Sequence, residues 1–301
     1  MNHSPKLSVL SFGGGQDSTV ILIKLIQDAW FREKYAPEDL LVIISDTGDE
    51  HQETYDHVDQ MLRRARERGV ETAWLRPAMG FHSEKWQSLR GFYRRTNTIG
   101  SKAFPKTCTD KLKLVPIYRY LSEYVAAKYS PPSTGKRYRG KQPLVDFAAA
   151  FGKIRVMLGI AAGEESRVAD EDKLPKWMQL SIERSYPLID VGWDRSDCIA
   201  FMQGNVFGVP IPSNCMLCPY MNLAELLWLY RFHPKDYDEW VELEANKIAA
   251  NKHKGDKNLG VWGKKLLPEV LREAIEKHGH MTDEELWDYK MTHGHNVRSK
   301  Y

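Results

Sequence analysis

Cysteine is scarce in this 301-residue chain: only Cys108, Cys198, Cys215 and Cys218 occur. That is too few for a disulfide framework at this length, so the thiols are expected to be reduced and available as metal or cluster ligands. No run of about 18 apolar residues is present, which gives no candidate for a membrane-spanning helix. The opening MNHSPKLSVL has no apolar core ahead of a cleavage site, and a cytoplasmic protein is expected. An excess of one charge is also missing, since 43 Lys and Arg face 40 Asp and Glu for a formal net charge of +3. Overall charge therefore gives no argument for a nucleic-acid partner, and any such argument must come from local clusters. No internal repeat is evident. Aromatic residues, by contrast, are plentiful at 11%, with nine Trp. A chain of this size buries one large or two small cores.

The densest signal is LSVLSFGGGQDSTVILIKLI, residues 7–26. Residues 7–12 are long enough for a buried strand, and residues 18–26 have the aliphatic content of a buried helix. Between them, Gly13, Gly14 and Gly15 let backbone N–H groups approach an anion without Cβ obstruction. The helix that follows aims the positive end of its dipole at the same point. Strand, glycine turn, hydroxyls and helix N-terminus together describe a phosphate site. It is not a Walker loop, because no Gly-Lys-Ser/Thr follows at the required spacing. Nor is it a dinucleotide fingerprint, because the glycines are contiguous.

Residues 40–45 form a second compact apolar run, closed by Asp46-Thr47-Gly48. Residues 53–68 read as a helix ending at Gly69, and residues 70–75 as a third strand. This alternation predicts an α/β fold with a doubly wound, Rossmann-like parallel sheet, whose ligands bind at the carboxyl ends of the strands. Residues 154–160 are a further buried-strand candidate. Ser196 is a plausible N-cap for a helix over 197–203, with Cys198 as a small buried core residue. Residues 130–143 are rich in Pro, Gly and Ser and carry Lys136, Arg137, Arg139 and Lys141 around Tyr138. They read as a loop or mobile insertion, either simply solvated or a phosphate-binding arm for nucleic acid. Helical patterns dominate from residue 223, including a capping box at Thr282–Glu285 and a basic turn at 252–257. The expected organisation is a nucleotide-binding domain over 1–224 and a helical extension over 225–301.

Ser11-Phe12-Gly13-Gly14-Gly15-Gln16-Asp17-Ser18-Thr19 resembles the S-G-G-x-D-S loop of the ATP pyrophosphatase (PP-loop, adenine nucleotide α-hydrolase-like) superfamily, with Gly13 in the place of the first Ser. Asp46-Thr47-Gly48 with Glu53-Thr54 resembles the D-T-G-x-x-x-x-E-T segment of its phosphoadenosine phosphosulfate (PAPS) reductase-like branch. Residues 159–167, GIAAGEESR, resemble that branch's G-I-R-x-x-E-S-x-x-R region, with Ala161 in the place of the first Arg. The resemblance spans about residues 7–221. It implies an enzyme that cleaves ATP between the α and β phosphates and adenylates an acceptor. On this reading Ser11, Gly13, Gly14, Gly15, Gln16, Asp17, Ser18 and Thr19 hold the phosphates with Mg²⁺. Asp46, Thr47 and Gly48 border the nucleoside. Asp17, Ser18 and Arg167 carry the chemistry, with Arg167 stabilising charge as pyrophosphate leaves.

Cys215-Met216-Leu217-Cys218 is the second strong signal, because Cys-x-x-Cys brings two sulfurs to one metal. A structural zinc would need a further ligand pair, and the strand that precedes a thioredoxin-type pair is missing. The family resemblance implies that Cys108 joins Cys215 and Cys218 to hold a [4Fe–4S] cluster with one iron open to a sulfide or a substrate sulfur. Zinc and unmetallated thiols remain the alternatives. Thioredoxin-dependent PAPS reductases carry a catalytic cysteine in a C-terminal Glu-Cys-Gly tail, whereas no Cys follows Cys218 here. The expectation is thus a sulfurtransferase-type member acting on an acceptor in DNA or tRNA, with a sulfur donor protein as partner. The rival readings are a reductase or transferase of a small sulfonucleotide, and a non-catalytic nucleotide-binding subunit of a larger complex.

Overall fold

The computed structural model describes residues 4–293. Residues 1–3 and 294–301, counted above in the two expected domains and including the C-terminal tail, lie outside the described residues. The first half alternates as expected: β1 (Leu7–Ser11), α1 (Gln16–Gln27), α2 (Ala29–Tyr35), β2 (Asp39–Ser45), α3 (Gln52–Glu67) and β3 (Glu71–Leu75). Then come α4 (Leu89–Thr96), α5 (Val115–Tyr129), α6 (Gln142–Phe151), β4 (Ile154–Leu158), α7 (Lys176–Ser181), β5 (Ile182–Ser185), α8 (Pro187–Asp190) and α9 (Arg195–Gln203). The strands form one sheet in the order β3-β2-β1-β4-β5, with every neighbouring pair parallel. Ser11, the last residue of β1, pairs with Ile43 on one side and Leu158 on the other. The strand order reverses at β1, so the crevice of this open sheet falls beyond the carboxyl ends of β1 and β4.

Period-two alternation along β1 sends its side chains to two different cores. Leu10 packs with Ile21 of α1, Met61 of α3 and Cys198 of α9. Leu7 and Val9 pack with Leu121 of α5 and Phe147 of α6. Ser8 is buried on the first side, where its hydroxyl donates to the Tyr35 carbonyl at 3.0 Å. Such two-sided burial explains why β1 and β2 are almost continuous apolar runs.

The remaining helices, α10 (Leu223–Phe232), α11 (Pro234–Ala250), α12 (Leu267–His278) and α13 (Asp283–His293), surround a third core. That core joins Trp228, Trp240, Val270 and Leu286 to Leu89 and Tyr93 of α4 and to Met216, Leu217 and Cys218. The cysteine loop is therefore packed inside the helical part, and the core crosses the expected boundary at 224. As expected, Thr282 and Glu285 make reciprocal capping bonds at the start of α13, of 3.2 and 2.8 Å.

Two local expectations need correction. The cap of α9 is Asp194, whose carboxylate accepts from Asp197 N at 3.0 Å, so Ser196 lies inside the helix. Gln142 and Pro143 belong to α6 rather than to the preceding loop, because proline is well suited to a helix's first turn. The loop itself is tied down: Asp146 accepts from Thr134 N at 2.8 Å and Thr134 Oγ1 at 2.6 Å. Among the described residues, no helix is long and apolar enough to cross a membrane.

Candidate active site

Beyond Ser11 the chain turns through Phe12 and three glycines into α1. Gly14 takes the left-handed conformation at φ +70°, and a Cβ there would stand 2.7 Å from Val58 Cγ2 of α3. Only glycine meets both demands. The backbone N–H of Gly13 donates to Ser18 Oγ at 3.2 Å, and that hydroxyl donates to the Gly15 carbonyl at 3.2 Å. Gly15 is the N-cap of α1 and supplies no side-chain cap, so the first N–H groups of the helix face the cleft without one. Gly159, just past β4, closes the opposite wall, where a Cβ would lie 2.8 Å from Ser18 N.

The cleft is lined at its base by Ser11, Gly13, Gly15, Gln16, Asp17 and Ser18. Asp46, Tyr55 and Trp74 also line it, as do Tyr118, Met178 and Arg184, and Lys113, which pairs with Glu50 at 3.3 Å. Arg167 and Arg195 lie beside the helix start, and Ser213 and Asn214 complete the rim. Four cations converge on one crevice, which suits a polyanion.

Several expected ligands have other structural employment. Thr19 is fully buried and its hydroxyl meets His57 Nε2 of α3 at 2.9 Å, so it faces the core rather than the cleft. The Gln16 amide donates to the carbonyls of Pro210 at 3.2 Å and Met291 at 3.0 Å. Gly14 supports the loop from behind. On the neighbouring loop, Asp46 Oδ1 accepts from Gly48 N at 2.7 Å and from the Tyr55 hydroxyl at 2.8 Å, and Tyr55 stacks with Trp74. Gly48, at φ +67°, packs against Ser88, where a Cβ would stand 2.5 Å from the serine Cβ. Thr47 is buried and turned toward the cysteines.

The cysteine loop is joined to both nucleotide loops. Ser213 Oγ donates to the Gly13 carbonyl at 2.6 Å. Cys215 forms an antiparallel bridge with Glu50, and its Sγ lies 3.5 Å from Thr47 Oγ1 and 3.8 Å from Glu50 Oε1. Met216 N donates to the Asp49 carbonyl at 2.7 Å, and the Asp49 carboxylate pairs with Arg90 of α4. Cys108 and Cys218 lie within electrostatic range of each other, as do Cys215 and Cys218, and all three act on the Tyr93 phenol. The three sequence-predicted ligands thus share one neighbourhood. Among the described residues, no group of three or more His, Cys, Asp or Glu side chains is set to hold a single metal ion, so no zinc site is preformed. A cluster spreads its thiolates over different irons, so its ligands need not stand so close.

The model of the phosphoadenosine phosphosulfate reductase domain matches residues 8–205. The chain belongs to this family. The match ends before the cysteine pair at Cys215 and Cys218, so it covers the sheet and the glycine loop. Among curated proteins, none matches. Two solved structures are similar over 93% of this chain. One is the U34-tRNA thiolase NcsA from Methanococcus maripaludis with its [4Fe-4S] cluster, at 14% identity, 75% coverage of that chain and a TM-score of 0.40. The other is an NH3-dependent NAD synthetase from Campylobacter jejuni, at 12% identity, 90% coverage of that chain and a TM-score of 0.29. Both likenesses are too loose to assign anything to this member of the PAPS reductase domain family.

Electrostatics sharpens the site in this family member. Burial pushes the Asp17 carboxyl up to about 6, opposed by Arg195, whose guanidinium is 3.8 Å away, and by Arg167. Asp17 Oδ1 is buried and has no hydrogen-bond partner. Glu164 holds Arg195 at 2.9 Å and also pairs with Arg167, which fixes both cations beside α1. Burial raises the Cys108 thiol and raises Cys215 well above the ordinary thiol range, while Lys113 opposes the shift at both. Metal loading must therefore release protons. Sequence motifs alone pass over Gly159, Ser213, Arg195 and Lys113 as site residues. Gly159 does open the GIAAGEESR segment, whereas Ser213 stands 200 residues from Gly13 with no local signature.

Proposed function

We propose that this chain cleaves ATP between its α and β phosphates, adenylates an acceptor oxygen, and so prepares that oxygen for replacement by sulfur. The observation that supports this reading is the hydrogen bond from Ser213 to Gly13. It joins the glycine loop to the cysteine loop two residues before Cys215, and Ser213 and Asn214 of that loop line the cleft. The triphosphate would lie over the N-terminus of α1, where the backbone N–H groups and Ser18 meet it. The acceptor oxygen would attack the α phosphorus, the α–β bond would break, and pyrophosphate would depart beside Arg167 and Arg195. The unpartnered buried oxygen of Asp17 fits Mg²⁺, which takes few protein carboxylates and fills its shell with phosphate and water oxygens.

Cys108, Cys215 and Cys218 would hold a [4Fe–4S] cluster, which when bound supplies a place for sulfur beside the activated acceptor. The acceptor would be an oxygen in DNA or tRNA, and the sulfur would come from a donor protein. Two measurements test the reading. Asp17→Ala should abolish pyrophosphate release from ATP while circular dichroism stays unchanged; unaltered turnover would mean that the glycine loop does not hold ATP. Anaerobic purification should yield iron and acid-labile sulfide that Cys215→Ala loses. Stoichiometric zinc, or no metal, would remove the sulfur-transfer step. Sulfite release from PAPS with a thiol donor would replace the reading by sulfonucleotide reduction.

A further inference from the structure

Lys141 is the N-cap residue of α6, and its side chain turns against the Trp177 ring, with Nζ 5.5 Å from the centroid. The Nζ is buried and has no hydrogen-bond partner. The charge that acts on it is a second cation, Arg119 of α5, and burial with that repulsion pushes the amine down to about 8. Arg119 itself donates to the Phe81 carbonyl at 3.3 Å and makes no ion pair among the described residues. The nearby acid of the same helix is already engaged: Asp146 accepts from Thr134 at 2.6 Å and from Gln142 at 2.8 Å. Two cations therefore share a site whose counter-charge is missing. Leaving a buried ammonium unpaired is costly, and the N-terminal end of α6 adds positive potential rather than relieving it.

The position of this site gives it meaning. Trp177 meets Tyr118 edge to face at 5.2 Å, and Tyr118 lines the nucleotide cleft. Lys141 thus stands one aromatic layer outside the cleft, beside α7, whose Met178 also lines it. The exposed Lys136, Arg137 and Arg139 precede it, and the backbone N–H groups of Arg137 and Tyr138 are held by Gln142 Oε1 at 3.0 and 3.2 Å. Nothing holds the lysine inward through a hydrogen bond, so an outward swing onto an anion exchanges the Trp177 contact for hydrogen bonds and uncovers that ring.

We propose that Lys141 and Arg119 hold a phosphate of the acceptor just outside the cleft, with Trp177 offering a ring face to the base beside it. The acceptor is thereby a nucleotide chain that enters on the α5–α6 side. Calling this phosphate the acceptor's rests on the adenylating reading above; the anion site itself does not. A labelled single-stranded oligonucleotide of about 12 nucleotides, within the span of such grooves, is titrated onto the full chain by fluorescence anisotropy. Lys141→Met and Arg119→Met should each weaken binding about tenfold and lower the salt slope by about 0.7, the value for one lost phosphate contact on a single strand. Lys141→Arg should bind as the native chain does, which separates loss of charge from loss of fold.

In parallel, acylation of Lys141 is followed by mass spectrometry with and without inorganic phosphate. Protection by millimolar phosphate with no oligonucleotide binding would assign the site to a small phosphorylated acceptor and overturn the nucleotide chain. Unchanged oligonucleotide affinity in both Met variants, with no protection by either ligand, would overturn the site altogether. Pyrophosphate release is measured separately. Oligonucleotide binding through Lys141 in a chain that never cleaves ATP would sink the adenylating reading and leave the anion site standing.

Discussion

At the scale of single residues, the run Gln16-Asp17-Ser18-Thr19 divides its labour in a way that its composition does not announce. Ser18 and Asp17 line the cleft, whereas the Thr19 hydroxyl is turned onto His57. Each step along a helix rotates the side chain by about 100°, so four consecutive polar residues cannot all face one ligand. His57 carries a testable consequence. Burial lowers it from 6.5 to about 4, so it stays neutral in the fold while the unfolded chain takes up a proton. Stability tied to His57 is complete above about pH 6.5 and is lost as pH falls toward 4. Two pKa units of that window correspond to about 3 kcal/mol. Urea denaturation at about pH 7 and about pH 4.5 should show that loss in the native chain and a smaller one in His57→Gln. Equal losses would mean that the imidazole is solvated.

Among the elements, strands that are buried on both faces are the most legible. The sequence-predicted strands at 7–12, 40–45, 70–75 and 154–160 correspond to β1 to β4, because uninterrupted apolar runs have little alternative in a parallel sheet. β5 escaped that logic: two of its four residues, Glu183 and Arg184, are charged, and Arg184 lines the cleft. The junction of β1 and α1 is where one small change should be felt most. Gly14→Ala must adopt a left-handed backbone and press on Val58, at a cost of about 1–3 kcal/mol. Thermal denaturation and nucleotide titration should show lower stability and weaker ATP binding, with Val58→Ala restoring the steric part. A silent Gly14→Ala would mean that α3 does not brace the loop.

For the whole molecule, the connection that matters is between the C-terminal helices and the site. Lys290 of α13 is fully buried with Glu225 of α10, at 3.1 Å, and donates to Asn214 Oδ1 at 2.8 Å. Asn214 immediately precedes Cys215, and Gln16 at the start of α1 donates to the Met291 carbonyl of the same α13. One helix therefore braces the glycine loop and the cysteine loop together. Lys290→Met strands a buried carboxylate and should cost about 3–5 kcal/mol, whereas Lys290→Met combined with Glu225→Gln should cost clearly less. Thermal melts of the two variants check this. Equal destabilisation would point to packing rather than to the charge pair.

The amino-acid order by itself determined the parallel α/β sheet, the glycine turn between β1 and α1 and the four-residue cysteine loop. Each of these depends on near neighbours, on apolar periodicity, or on glycine's freedom from a Cβ. Which residues of those motifs face the cleft was decided only by the tertiary structure. Ser213 on Gly13, Thr47 beside Cys215 and Lys290 on Asn214 are contacts between distant segments, and no local pattern encodes such a meeting. The glycine loop and the cysteine loop are separate motifs in the chain; folding β1, β2 and the C-terminal helices against one another joins them through Ser213 and Gly13.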